Sequence, residues 1–257
     1  DPSIMAHHGL MTLAKENGIK VVLGGQGADE LFFGYSHSVN AVLTHCIRNL
    51  KLGIVLDWIR NGGLPPKLWI RIWFTALFPK LERKIRIKTR NARKESLPNK
   101  VIENAREVKQ NVLTDVNLAW QNDIRGVSIP HLVHYDDRNG MSQSIEGRMP
   151  FFDHRIIEKL GRLKPSEFMR GGKRKNVLRK SCEEYLPAEV LNRKDKIGFY
   201  TPLLKILNSW SPKQLGKTTA VELEEYQSNP TLPHALNAFR KISWLRWSSI
   251  FNVHLEK

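Results

Sequence analysis

Residues 18–35 read G-I-K-V-V-L-G-G-Q-G-A-D-E-L-F-F-G-Y, and this stretch restricts the possible folds more than any other. Residues 19–23 are rich in β-branched side chains and predict one buried parallel strand. The strand runs directly into Gly24-Gly25-Gln26-Gly27, where three glycines in four positions allow positive φ and close approach of the backbone to a ligand. Ala28-Asp29-Glu30 then opens a helix whose N-terminus attracts anions. Asp29 and Glu30 would repel a bare phosphate, but suit one that arrives with Mg²⁺ between. The plainer reading is a tight strand-to-helix turn with two acids in the first turn. Upstream, Pro2-Ser3 predicts the cap of a helix through Ile4, Leu10, Leu13 and Ala14 that stops at Asn17-Gly18. A helix followed at once by a parallel strand is half of an α/β crossover, so partner strands are expected upstream of Asp1.

Three later strings carry chemistry-bearing residues. In residues 144–153, S-I-E-G-R-M-P-F-F-D, Gly147 and Pro150 predict an ordered loop, and Asp153 is placed to cap a helix through Ile156, Ile157 and Leu160. Glu146 and Arg148 alternate there among apolar residues, and a carboxylate buried in such a loop needs a partner or a function. The structural alternative is an ion-pair network of Glu146, Arg148 and Asp153 tying loop to helix. In Gly171-Gly172-Lys173-Arg174-Lys175, cations crowd a helix start, a conflict that bound phosphate would remove; Lys173 and Arg174 can equally be solvated. Residues 192–201 predict a polar loop before a helix that starts at Pro202. Lys196 lies in that loop, ahead of Gly198-Phe199; a loop lysine by itself is usually solvated.

Taken in order, these strings resemble one family. G-G-Q-G-A-D-E-L-F-F-G-Y is similar to the S-G-E-G-A-D-E-L-F-G-G-Y signature in the synthetase domain of glutamine-dependent asparagine synthetases. D-R-N-G-M-S-Q-S-I-E-G-R-M-P-F-F-D (137–153) and N-R-K-D-K-I-G-F-Y-T-P (192–202) match further motifs. The resemblance implies a helix-dominated α/β fold, the C-terminal portion of an ATP pyrophosphatase-like (adenine nucleotide alpha hydrolase-like) synthetase domain. Residues 18–35, 137–202 and a basic aromatic insertion at 61–110 would be its parts. It implies carboxylate adenylation with ATP and Mg²⁺, followed by attack of ammonia.

By the same resemblance Asp29 is a metal ligand, and Gly24, Gly25 and Gly27 approach the nucleotide. Lys175, in K-x-x-L-R, meets the pyrophosphate. Glu146 lines the acyl-adenylate pocket, and Lys196, in K-x-G-F, stabilises developing charge. Ammonia would come from glutamine through an N-terminal amidase domain absent from these residues, as is the family's S-G-G-x-D-S phosphate loop. Gln26 replaces the family's glutamate and cannot act as a base, so it is assigned to hydrogen-bonding the carboxylate acceptor. That acceptor is aspartate or another acid, for instance a sugar acid of a cell-surface polysaccharide.

The chain carries 41 Lys and Arg against 25 Asp and Glu, a net charge of +16, which points to phosphate-bearing partners. Residues 48–109 hold 16 basic and 5 acidic residues, +11 of that total. Within them Trp69, Trp73, Phe74, Leu77, Phe78, Leu81, Ile85 and Ile87 interleave with Arg71, Lys80, Arg83, Lys84, Arg86, Lys88 and Arg90. This segment reads as a helical lid with its aromatics in the core, or as a surface for an anionic membrane, nucleic acid or a partner. The phosphate partner implied is a nucleotide rather than nucleic acid. A degenerate relative that only binds through residues 64–109 is the competing, non-enzymatic reading. No apolar run reaches the roughly 18 residues of a membrane span. Cys46 and Cys182 fit the reduced thiols of a cytoplasmic protein. The nine histidines show no metal spacing, and the tail predicts helices anchored by Phe239, Trp244, Trp247 and Phe251.

Overall fold

A computed structural model describes residues 2–92, 115–126, 128–193, 201–214 and 217–251. The chain folds as two compact units, one of residues 1–20, 138–145 and 196–257, the other of 21–137 and 146–195. Helix dominates both.

The first unit opens with α1 (Ser3–Glu16), whose N-cap is Pro2 without a side-chain bond. Its stop is the expected one: Gly18 takes φ 71°, and the Gly18 and Ile19 amides donate to the Lys15 and Ala14 carbonyls. The side-chain amide of Asn139 donates to the Ile4 carbonyl at 3.0 Å.

The second unit begins at β1 (Val21–Leu23) and the single-turn α2 (Ala28–Leu31). Then follow α3 (Ser36–Arg48), α4 (Leu52–Asn61), α5 (Pro66–Leu77) and α6 (Pro79–Ala92). After residue 114 come α7 (Val116–Arg125) and α8 (Ser128–Ser142). Helix α3 is buried over much of its surface, with Val39, Ala41, Val42, Leu43 and Cys46 at most 1% exposed and the polar Ser38 and Thr44 buried among them, because other helices enclose it. It packs against α4, α5 and α7. Trp58 of α4 and Ile72 of α5 complete the core with Phe168 and Met169. Asp115 caps α7 by accepting from the Asn117 and Leu118 amides at 3.0 Å.

Two expectations are corrected here. The stretch 144–153 is not a loop throughout. It contains β2 (Glu146–Arg148), a 3-10 turn at Pro150–Phe152, and then α9 (His154–Gly161). The strand at 19–23 shrinks to three residues, paired in parallel with β2 in the register Val21 with Glu146 and Leu23 with Arg148. Nor is it buried, since Val21 is 40% and Leu23 72% exposed. Two three-residue strands are too small a sheet to enclose a face.

The unit closes with α10 (Asn176–Ser181) and α11 (Ala188–Asn192). In the first unit α12 (Leu203–Ser209), α13 (Lys217–Ser228) and α14 (Leu232–Ile250) pack around Leu207, Leu223, Tyr226 and Ile242. Of the expected aromatic anchors only Phe239 is in that core; Trp244, Trp247 and Phe251 are exposed.

Candidate active site

The strand-turn-helix motif and the basic motif, far apart in the chain, meet in one ion pair. Lys175 Nζ lies 2.9 Å from Asp29 Oδ1, with both side chains about one quarter exposed. Gly34 makes room for it. A Cβ there would fall on Asp29 Oδ1 and 2.5 Å from Lys175 Cε. The Gly34 carbonyl also accepts from Arg174 Nη1 at 3.3 Å, so the glycine holds two successive cations over the motif. Gly34 stands in the motif string, but spacing gave no sign of its role.

Lys175 sits in the left-handed region at φ 55° and ψ 34°, just before α10. For a side chain with a Cβ this costs on the order of 1–2 kcal/mol, and it persists only where the surroundings impose it. Those surroundings can be traced. Gly171 and Gly172 take φ 62° and 63°, the positive pair of a tight hairpin turn, and the Lys173 amide donates to the Arg170 carbonyl at 3.1 Å. The turn is docked on the end of α4. Asp57 Oδ2 accepts from the Gly171 amide at 2.7 Å, and a Cβ on Gly172 would overlap the Asn61 carbonyl.

Beyond Lys175, the Arg179 guanidinium donates to four carbonyls, those of Arg174, Val190, Leu191 and Arg193, at 2.6–3.2 Å. Lys173 Nζ adds a bond to Asn192 Oδ1 at 2.7 Å. Burial pushes the Arg179 pKa down, yet a guanidinium keeps its charge at any physiological pH. Both side chains thus fasten residues 190–193. Lys196 itself lies outside the described residues.

The three glycines of the turn differ. The Gly24 amide donates to the Arg148 carbonyl at 2.8 Å, extending the β1–β2 ladder, and a Cβ on Gly24 would meet Met149 Sδ at 2.8 Å. Gly27, at φ 92°, faces the Phe152 ring, where a Cβ would fall on Cε1. These two serve the packing of the turn against residues 149–152. A Cβ on Gly25 meets nothing within 4 Å, so of the three Gly25 alone borders open space. Gln26 beside it is partly buried. Because α2 is one turn long, its dipole adds less than a full helix would.

The carboxylates separate into three roles. Glu30 turns inward, 2% exposed, and accepts a short hydrogen bond from the Tyr35 hydroxyl. Burial first, and then that bond, hold the phenol proton far above its ordinary range. Tyr35 stacks on His37 with ring centroids 5.2 Å apart, and His37 Nε2 lies 2.8 Å from Asp123 Oδ2. This chain of contacts, buried at Glu30 and Asp123 and partly exposed at Tyr35 and His37, was not visible in the sequence, where Glu30 read as a second carboxylate facing phosphate. Glu146, expected to be buried, is 60% exposed and bonded to Arg148 at 2.9 Å, so Arg148 lowers its pKa. Two residues apart on a strand, they share a face, which is why they pair. Asp153 does not join them. It caps α9 through the Arg155 amide at 2.9 Å and pairs with the Arg155 side chain, which holds its carboxyl well below the carboxylate range.

Among the described residues no three His, Cys, Asp or Glu side chains form a metal cluster. Asp29 is the partly exposed carboxylate at the meeting point. One carboxylate fits magnesium, which keeps most of its shell as water and phosphate oxygen. A cleft of about 260 Å³ between α13 and α14, lined by Glu222, Tyr226, His234 and Lys241, contains none of these candidate residues. No helix among the described residues is long and apolar enough to cross a membrane.

A family model described as asparagine synthase matches residues 1–245. The chain is 23% identical over 244 residues to asparagine synthetase (glutamine-hydrolyzing) 1 of Bacillus subtilis (strain 168), covering 89% of this chain and 37% of that protein. It is 28% identical over 179 residues to asparagine synthetase (glutamine-hydrolyzing) 3 of the same organism, covering 68% and 25%. The chain therefore spans 37% and 25% of the lengths of these two relatives. No solved structure gives a significant match.

Proposed function

The chain belongs to the asparagine synthase family, and from that premise we propose that it is the C-terminal part of an ATP pyrophosphatase-like domain, acting in ATP-dependent amide synthesis. A carboxylate oxygen of the acceptor attacks the α-phosphorus of ATP and releases pyrophosphate; ammonia, drawn from glutamine elsewhere in the protein, then attacks the activated carbonyl and releases AMP. The single observation that carries this reading is the meeting of Asp29 and Lys175. Two motifs similar to parts of one known site are 146 positions apart in sequence, yet they come to a common point with a glycine fitted around them.

In this reading Lys175 and Arg174 set positive charge where pyrophosphate leaves, and the left-handed backbone at Lys175 aims the ammonium group. Asp29 would supply one oxygen to magnesium, which neutralises phosphate charge when bound. Gly25 leaves the backbone open for the nucleotide, and Lys196 brings a further cation from its loop. Gln26 lies beside Gly25 and would orient the acceptor through its amide. Glu146 is solvated and paired in the free chain, so its role at the acyl-adenylate requires exchange of Arg148 for a substrate group.

Gln26 favours a second reading of the acceptor. Without the glutamate of the S-G-E-G signature that this string resembles, the pocket has one negative charge fewer, and an acid other than aspartate is then the substrate. The test is pyrophosphate release by the gene product carrying this chain, with Mg-ATP and either glutamine or ammonium, across aspartate and a panel of other carboxylic acids. Release with aspartate that Lys196→Ala abolishes supports asparagine synthesis. Release with another acid alone moves the product to a different amide. Absence of release with every acid would leave the basic binding module as the better account.

A further inference from the structure

Helix α5 holds apolar residues on two sides, and only one side is used by the core. On α5, Ile72, Thr75 and Ala76 are buried, and Leu68 and Trp69 pack against the core. The opposite stripe, Ile70, Trp73 and Leu77, follows helical spacings of three and four and is 70%, 38% and 63% exposed. Phe78 at the joint is 54% exposed, and Leu81 and Ile85 on α6 are each 48% exposed. The expected packing of these aromatics into the core thus holds for Trp69 and fails for Trp73 and Phe78.

The charges beside this stripe have one sign. Between residues 66 and 92 the single acid is Glu82. It is 8% exposed and lies 3.6 Å from both Arg71 and Arg86, so it is withdrawn from the surface. Lys67, Arg71, Lys80, Arg83 and Lys84 stay exposed. Four of the six exposed stripe residues, Ile70, Leu77, Leu81 and Ile85, are aliphatic and cannot stack on bases as an RNA surface requires, and lysine is depleted from the centres of protein interfaces. An apolar stripe carrying Trp and Phe, bordered by cations without an outward acid, matches the headgroup layer of an anionic bilayer.

We infer that α5 and α6 dock the protein on the surface of a membrane rich in anionic lipid, with Ile70, Trp73, Leu77, Phe78, Leu81 and Ile85 at the acyl boundary. The lysines and arginines lie over the lipid phosphates. The protein rests on the bilayer and does not span it there. This inference does not depend on the catalytic reading.

Co-sedimentation of the gene product with vesicles tests it, comparing phosphatidylcholine alone with an equimolar mixture of phosphatidylcholine and phosphatidylglycerol. Binding to the anionic vesicles only, falling with salt, is expected. The double variant Lys80→Gln, Lys84→Gln should bind roughly 25-fold more weakly, about fivefold per charge. Leu81→Ser with Ile85→Ser should also release the protein, and Trp73→Phe should retain binding while removing part of a blue shift in fluorescence. The four substituted side chains of the two double variants are exposed, and unchanged circular dichroism would establish that each variant folds. No sedimentation, equal binding to both vesicles, binding indifferent to the charge variant, or salt-sensitive binding to a generic RNA in place of vesicles would each overturn the inference.

Discussion

Two ion pairs in the motif strings have the same length, 2.9 Å, and nothing else in common. Glu146 and Arg148 are neighbours on one strand, each 60% exposed, free to part into water. Asp29 and Lys175 come from distant elements, are about one quarter exposed, and close around a glycine whose place a larger residue can take only by displacing one of them. A solvated local pair contributes almost nothing to stability. The enclosed pair is held by backbone on both sides, by the α2 turn under Asp29 and by the Gly171-Gly172 hairpin docked on α4 under Lys175. Distance is therefore a poor guide to importance. What distinguishes the second pair is how much structure must agree before it can form.

That contrast can be broken first at Lys175. Lys175→Gly removes the cation and also the left-handed strain, so pyrophosphate release should fall roughly 10²-fold or more while stability to urea does not fall. A variant that loses both together would show the lysine to be a structural strut. Gly34→Ala comes next. Its Cβ has to displace Asp29 or Lys175, for an expected loss of about 1–3 kcal/mol of stability measured by denaturant unfolding. Wild-type stability in that variant would mean that the enclosure is loose.

Arg179→Met strips four carbonyls of their donor. A loss of about 1.5–3 kcal/mol is expected, with faster proteolysis in the 188–193 segment as a specific sign, and an unchanged cleavage pattern would refute the clamp. At the small end, Glu146→Gln should leave the melting temperature unchanged. Its folded-state pKa is lowered by Arg148, so the pair exists above the ordinary carboxylate range and is lost as pH falls through the folded value. Exposure keeps the consequence slight.

His45 gives a pH effect of the opposite origin. Burial, aided by Lys51, lowers its pKa below the ordinary 6.5. The unfolded chain then binds a proton that the folded chain resists, so stability is complete above that value and declines as pH drops beneath it. His45→Gln should flatten the dependence of the urea midpoint on pH between about 5 and 7, and an equal slope in both proteins would exclude this histidine as its source.

Much of the local structure was legible in the sequence because it depends on neighbours in the chain. The stop of α1 at Gly18 and the cap at Asp153 each follow from a residue's own backbone or a bond within three positions. The order of the motifs also sufficed to recognise the family. Side chains settled by distant partners were misread. The E-G-R segment gave no strand signal, since it lacks β-branched residues and owes its conformation to β1. At Gly24 and Gly27, read from the sequence for their approach to phosphate, the missing side chains also leave room for Met149 and Phe152, which no local pattern announced. Glu30 looked like a partner of Asp29 and instead turns inward to Tyr35.

The sequence by itself therefore determined which residues carry charge, where glycine permits a turn, and which helices are amphipathic, because these are properties of a few adjoining residues. Tertiary structure alone decided that Lys175 reaches Asp29, that Glu146 faces water, and that α5 keeps an apolar stripe outside the core. The separation of two residues far apart in the chain depends on every intervening backbone dihedral and on the packing that selects among them, and no local pattern records that sum.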